Sequence, residues 1–289
     1  MVGGPHRAGL LGLRDGLKAA GFDEAAIVLA VRDVRGDLSA ISGLAKELER
    51  EGTDVLVVFG TSTALATQRS TERVPIVFAV GGDPVAFGLV ESIAKPGGRL
   101  TGLHTIISDL TAKRLELLRQ IVPALRRIVT FYNPENPGAV VAALAAMRAA
   151  AQDLGIEVLT KEAASPQALR EVVTGLRAGD AEALFLISDA TVLSEDKLII
   201  EHATALKMPV MAYELGSVSE GALAGYGLHY RESGRLAAEY VTRILAGTSP
   251  RDLPVQTVRP VLAINLKTAR TLGLAISPTL LARADEVIE

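Results

Sequence analysis

Short apolar runs alternate along this chain with longer segments in which apolar residues recur every three or four positions. Few folds accommodate that pattern. A short apolar run bounded by turn residues reads as a buried strand, and a three-to-four periodicity reads as a helix with one face on a core. Strand followed by helix, repeated, specifies a parallel sheet with helices on its faces, an α/β class. The runs predict strands at 27–31, 54–59, 74–80, 127–132, 156–160, 183–187, 210–213 and 222–226. The periodic segments predict helices at 8–20, 38–50, 63–70, 85–94, 112–121, 138–154, 166–178, 194–206 and 232–245.

Pro and Gly fall where this scheme needs breaks. Pro75 and Pro209 open strands, Gly21, Gly155 and Gly273 follow helix ends, and Pro96-Gly97-Gly98 forms a turn. A chain of 289 residues is about twice a usual domain length. Two related sets of strand and helix, one up to about Gly102 and one from about Arg127, suggest paired lobes. The first helix is anomalous: Met1 to Pro5 is too short and too rich in Gly to supply the strand that should precede it, so the first strand of lobe 1 is expected to be missing.

Ligands of open parallel sheets sit beyond the carboxyl ends of the strands, so the polar residues after each apolar run are the candidates for function. Gly60 is followed by Thr61, Ser62 and Thr63, whose hydroxyls either cap the next helix or join its first N–H groups in holding an anion such as a carboxylate. Gly81-Gly82 leads to Asp83 and Pro84, a cap and a first helical residue that also face the crevice. Asn133 follows the strand at 127–132, Asp189 the strand at 183–187, and Tyr213 with Glu214 the run Pro209 to Ala212. Asp189 and Glu214 are suited to pair with an ammonium group while the first half holds a carboxylate.

Other chemistries lack their anchors. The four His residues are scattered with no pair at four-residue spacing, and there is no Cys, so no metal site is expected. The sequence contains no nucleophile elbow, no phosphate-binding P-loop and no dinucleotide fingerprint after the strand ending at Phe59, so neither catalytic residues nor a cofactor are expected. Lys and Arg number 30 against 33 Asp and Glu, a net charge of -3, which disfavours nucleic acid as a partner. No stretch approaches the ~18 apolar residues of a membrane helix, and the first residues carry no signal-peptide pattern.

At these same loops the sequence resembles the substrate-binding proteins of ABC transporters, in the family that includes binders of tryptophan and other amino acids. The resemblance runs nearly end to end. It is carried by Gly60-Thr61-Ser62-Thr63-Ala64, by Val74-Pro75-Ile76-Val77-Phe78 running into Gly82-Asp83-Pro84-Val85, and by Pro96-Gly97-Gly98 with Thr101-Gly102. Lys113-Arg114-Leu115-Glu116-Leu117-Leu118, Tyr132-Asn133-Pro134, Ile264-Asn265-Leu266-Lys267-Thr268-Ala269 and Ala282-Arg283-Ala284-Asp285-Glu286 extend it. Ser62 stands where Pro is usual in the family, and Arg99 where Asn is usual.

The resemblance implies a type I periplasmic binding protein: two Rossmann-like lobes joined by three crossovers, closing by hinge bending on a small solute. Residues 1–105 with 227–249 would form lobe 1, and 106–226 with 250–289 lobe 2. It also implies a periplasmic or membrane-anchored extracytoplasmic location, an ABC permease as partner, and a non-enzymatic monomer that captures an amino acid or related carboxylate. A ligand-sensing regulatory domain of the same fold is the alternative function.

Overall fold

The computed structural model of the chain describes residues 4–22, 26–34, 37, 39–105, 110–135 and 137–289. Helices α1 (Gly4–Ala19) and α2 (Ala40–Arg50) precede β1 (Leu56–Phe59), α3 (Thr61–Ser70), β2 (Ile76–Val80) and β3 (Leu100–His104). Next come α4 (Thr111–Ile121), β4 (Arg127–Tyr132), α5 (Pro137–Asp153), β5 (Glu157–Glu162), α6 (Pro166–Thr174), β6 (Ala183–Phe185), α7 (Ala190–Ser194) and α8 (Asp196–Ala205). They are followed by β7 (Val210–Glu214), α9 (Gly216–Ser219), β8 (Ala224–Leu228), α10 (Tyr230–Leu245) and β9 (Gln256–Thr257). Strand β10 (Val261–Asn265), helices α11 (Leu266–Leu272) and α12 (Pro278–Leu281), and β11 (Glu286–Ile288) complete the described elements.

The chain divides into two units, Met1–Ile106 with Tyr230–Val258 and Ile107–His229 with Arg259–Glu289. Lobe 1 carries a parallel sheet in the order β1-β2-β3-β9. Every residue of β2 and β3 is buried, as befits strands covered on both faces. Ile76, Phe78 and Val80 pack with Leu56, Val58, Ala64, Leu89 and Leu100. Helices α1 and α10 cross so closely that a Cβ at Gly12 would overlap the carbonyl oxygen of Arg231, and one at Gly234 that of Gly9.

Residues 250–258 were expected in lobe 2 and lie with lobe 1, because β9 extends the lobe 1 sheet beside β3. Two buried hydroxyls fasten this return. Thr101 Oγ1 donates to Leu253 O at 2.6 Å and Thr105 Oγ1 to Val258 O at 2.7 Å.

Lobe 2 carries a sheet in the order β11-β10-β8-β7-β6-β4-β5, parallel except where β10 runs antiparallel to β8. Its core joins Leu115, Leu118, Ile128, Met147, Phe185, Met211 and Ile264. Helices α6, α11 and α12 start on Ser165, Asn265 and Ser277, whose side chains accept first-turn N–H groups at 2.9 to 3.2 Å.

Two expected elements differ. Residues 27–31 form no strand, and among the described residues their backbone groups make no hydrogen bond. Residues 85–94 form no helix: after one turn, Leu89 N–H reaches back to Pro84 O at 2.8 Å and Gly88 N–H to Val85 O at 2.9 Å, with Gly88 at φ 69°. That is a helix stop, and the left-handed conformation at Gly88 is what closes it.

Candidate functional site

In lobe 1 the parallel register sets Phe59 beside Ala79 and Val80 beside His104, so the carboxyl ends of β1, β2 and β3 share one edge. That edge brings together Thr61, Ser62 and Thr63 after β1, Asp83 and Pro84 after β2, and His104 at the end of β3. The cap residue of α3 is Gly60, which brings no capping side chain of its own, and helical bonding begins with Ala64 N–H donating to Gly60 O at 3.0 Å. The N–H groups of Thr61, Ser62 and Thr63 therefore point out of the helix at its positive end.

Thr61 is buried, and Ser62 and Thr63 are half-buried. Asp83 works as a local cap: its Oδ1 accepts from Val85 N–H at 2.9 Å and Ala86 N–H at 3.3 Å. Pro84 opens that turn.

His104 was set aside in the sequence as one of four scattered histidines, yet the strand end places it on this edge. It is buried, its Nε2 lies 2.9 Å from Thr257 Oγ1, and its Nδ1 has no partner among the described residues. Burial holds it below the usual histidine range, opposed by the charge of Asp83. Its signal in the sequence was its place at the end of an apolar segment, weakened by Gly102.

In lobe 2 the carboxyl ends of β4, β6 and β7 carry Asn133, Asp189, Tyr213 and Glu214. Asp189 is 2% exposed and fully engaged locally. Its Oδ1 accepts from Thr191 N–H at 2.7 Å and Val192 N–H at 3.1 Å, and its Oδ2 from Asn133 N–H at 2.8 Å. Asn133 Nδ2 donates to Thr191 Oγ1 at 2.9 Å, so the loops after β4 and β6 form one network. Desolvation pushes Asp189 above the ordinary carboxylate value, and the three N–H groups pull it back.

Glu214 is fully buried and curls onto the turn that follows it. Oε2 accepts from Gly216 N–H at 2.6 Å, and Oε1 from Ser217 N–H and Ser217 Oγ at 2.5 Å each. Ser217 Oγ also lies 3.2 Å from Asp196 Oδ2, so two buried carboxyls address one hydroxyl that has a single proton to give. Burial pushes Glu214 up to about 7, with the neighbouring Asp196 adding to the rise.

One residue escaped the reading of the strand ends because it sits on a helix. Arg114, on α4, is wholly buried, with its guanidinium 4.9 Å from the centre of the Phe185 ring. Nη1 donates to Leu186 O and Nη2 to Thr111 Oγ1, both at 3.0 Å, while Nε has no partner among the described residues. Desolvation lowers it to about 9, opposed by adjacent Tyr213. Tyr226 lines a groove of about 270 Å³ within lobe 2 beside Lys113, Arg259, Leu262 and Asp285.

These groups can hold a polar solute through hydroxyls, N–H groups and carboxyls. Among the described residues no three His, Asp or Glu side chains gather as metal ligands, and no helix is long and apolar enough to cross a membrane.

Comparison with known proteins agrees with this architecture. A crystal structure from Vibrio cholerae, described as a conserved domain protein, is 31% identical and superposes with a TM-score of 0.86 over 99% of this chain and 97% of that one. The ABC domain from Streptococcus pneumonia in complex with L-Trp is 24% identical, with a TM-score of 0.87 over 100% and 97% of the two chains. A tyrosine-binding protein of Clostridioides difficile is 28% identical over 249 residues, which make up 86% of this chain and 71% of that protein. The fold is that of the type I periplasmic binding proteins. A family model for the ABC transporter substrate binding proteins, a family of solute binders rather than enzymes, matches residues 4–288, and the chain belongs to that family.

Proposed function

We propose that the chain captures a small amino acid or a related carboxylate between its two lobes, outside the cytoplasmic membrane, and delivers it to an ABC permease. The observation that carries the ligand class is the start of α3, where the cap residue is a glycine and the positive helix end lies beside the hydroxyls of Thr61 and Thr63. A carboxylate suits a positive helix end flanked by hydroxyls. The tyrosine-binding relative supports an amino acid.

The ammonium end of the ligand is assigned to the network of Asn133, Asp189 and Thr191 in lobe 2, with Tyr213 on the neighbouring strand β7. Asp189 spends three acceptor positions on backbone N–H groups, which leaves capacity for one more donor on a carboxylate with about four lone-pair sites. Thermal unfolding against a panel of amino acids and small carboxylates tests the proposal. A true ligand at ~100 times its dissociation constant adds about 2.7 kcal/mol, a shift of several degrees at this size. Thr63→Val removes a hydroxyl at nearly constant volume and is expected to weaken that ligand about tenfold. If no amino acid or carboxylate in the panel moves the midpoint, the ligand class is wrong.

A further inference from the structure

Among the described residues three buried side-chain polar atoms have no hydrogen-bond partner: His104 Nδ1, Arg114 Nε and Thr130 Oγ1. Leaving such a group unpaired costs free energy, so each needs a reason. Thr130 sits in the middle of β4, and Arg114 already spends both Nη groups on Leu186 and Thr111. His104 differs in its place. It ends β3, at the edge of lobe 1 that carries the start of α3.

The sheet fixes where its ring stands. Phe59 pairs with Ala79, Val80 with His104 and His104 with Thr257, so Gly60, Val80, His104 and Thr257 fall in one row across the sheet. Side chains of a strand alternate between its two faces. Ile76, Phe78, Val80 and Leu100 pack in one cluster with Ala64 of α3. Counting by twos from Leu100 puts His104 on that same face. The ring, 7% exposed, therefore shares both an edge and a face of the sheet with the positive end of α3.

The chain leaves this ring half satisfied. Asp83 acts on it by charge without bonding to it, and Asp83 Oδ1 accepts instead from Val85 and Ala86 N–H. Burial holds the ring below the usual histidine range, so it is neutral near pH 7 and one nitrogen carries the proton. Thr257 Oγ1 lies 2.9 Å from Nε2 and has no other hydrogen-bond partner among the described residues, so its proton is free to go to Nε2. A ring that accepts at Nε2 carries its own proton on Nδ1. Nδ1 is then a donor, and what it lacks is an acceptor.

We infer that His104 contacts the solute, its Nδ1–H donating to the carboxylate held at the start of α3 while Thr257 fixes the tautomer through Nε2. This inference rests on the reading of lobe 1 as the carboxylate end of the site. It makes His104 a specificity residue. A carboxylate offers one oxygen to the helix start and one to the ring, whereas the amide of the same acid has a single oxygen and turns N–H against one of the two donors.

The ring nitrogen resonances of His104 in isotope-labelled full chain, assigned by their loss in His104→Asn, report which nitrogen is protonated. The chain is titrated with L-amino acids, with their C-terminal amides and with sodium acetate. The expected result is a proton on Nδ1 and a Nδ1 resonance that moves with the binding amino acid and with acetate, while the amide binds about tenfold or more weakly. Variants separate contact from support. Asn carries its amide nitrogen where Nδ1 stands, and Gln where Nε2 stands. His104→Asn is expected to keep most of the affinity that His104→Gln and His104→Phe lose by about tenfold or more.

The inference and the amino-acid reading fail separately. An amino acid that binds without moving Nδ1, or binds equally to the parent and to His104→Phe, overturns the role of His104 and leaves the reading intact. Affinity kept by His104→Gln and lost in His104→Asn does the same, since the ring would then act only through Thr257. A Nδ1 resonance that Asp83→Asn shifts and no probe moves makes Asp83 its partner and also overturns the inference. Acetate that moves Nδ1 when no amino acid binds supports His104 and sinks the amino-acid reading. No response to any probe overturns both.

Discussion

Glu214 shows how far a residue's place in a sequence can mislead about its role. As an acid after an apolar run it read as a partner for an ammonium group, but its carboxyl is occupied by Gly216 and Ser217 and stacked against the charge of Asp196. A carboxyl that binds its proton more tightly in the folded chain contributes stability that is present below the unfolded value and lost as pH rises through the folded one. For Glu214 that window runs from 4.5 to about 7, worth about 3 kcal/mol. Glu49 acts in the opposite sense, held low by the N–H groups of Val74, Arg73 and Glu72, so the effect must be read as a difference between variants. Between pH 4.5 and 8, Glu214→Gln is expected to lose less stability with rising pH than the parent does; equal slopes in melting temperature against pH would show that Glu214 does not titrate in this range. Asp189 caps α7 and joins two loops, so Asp189→Ala is expected to cost about 1–2 kcal/mol in thermal melting even without ligand. Asp189→Asn keeps an acceptor for Thr191 and Val192 and is expected to cost less. Equal melting of all three proteins would remove the capping role.

At the scale of elements, burial and hydrogen bonding decide between sequences that look alike. Residues 27–31 and 127–132 are both short apolar runs, but the second pairs with β5 and β6 while the first bonds to no neighbour among the described residues, so only the second is a strand. The helix expected at 85–94 had the right periodicity and lost to the stop at Gly88. The strand β3 was hidden by Gly102 and by its own brevity, and β9 by having only two residues and a partner far away in sequence. Arg99 was read as a departure from the family pattern, and its task is spatial: its guanidinium donates to the carbonyls of Gln68, Thr71 and Val74 at 2.6 to 3.0 Å, closing the carboxyl end of α3. The crossing of α1 and α10 gives a decisive substitution. Gly to Ala inside a helix normally gains about 1 kcal/mol, but at Gly12 the new methyl meets the backbone of Arg231, and overpacking of that kind costs about 1–3 kcal/mol. Gly12→Ala is therefore expected to lower the melting temperature, whereas Gly43→Ala, where nothing lies within 4 Å, is expected to leave it unchanged or raise it. A stabilised Gly12→Ala protein would mean that the helices do not approach as described.

For the whole molecule, the alternation of strand and helix made the α/β class legible, since it is a local property repeated many times. Which segment belongs to which lobe is not local. The chain passes between units after Ile106, His229 and Val258, so lobe 1 is assembled from two stretches separated by all of α4 to β8. The first stretch alone would leave Leu13 and Leu17 of α1, each at most 3% exposed when both stretches are present, without the face of α10 that packs on them. It would also lose β9 and the Leu253 and Val258 carbonyls that receive Thr101 and Thr105. A stretch of 106 residues is long enough for an ordinary domain, so length does not forbid independent folding; missing contacts do. Residues 1–106 expressed alone are expected to melt without cooperativity by circular dichroism, and a fusion that joins residues 230–258 to them through a flexible linker is expected to recover a sigmoidal transition. Cooperative melting of the first stretch by itself would show that α10 is an accessory to lobe 1 rather than part of its core.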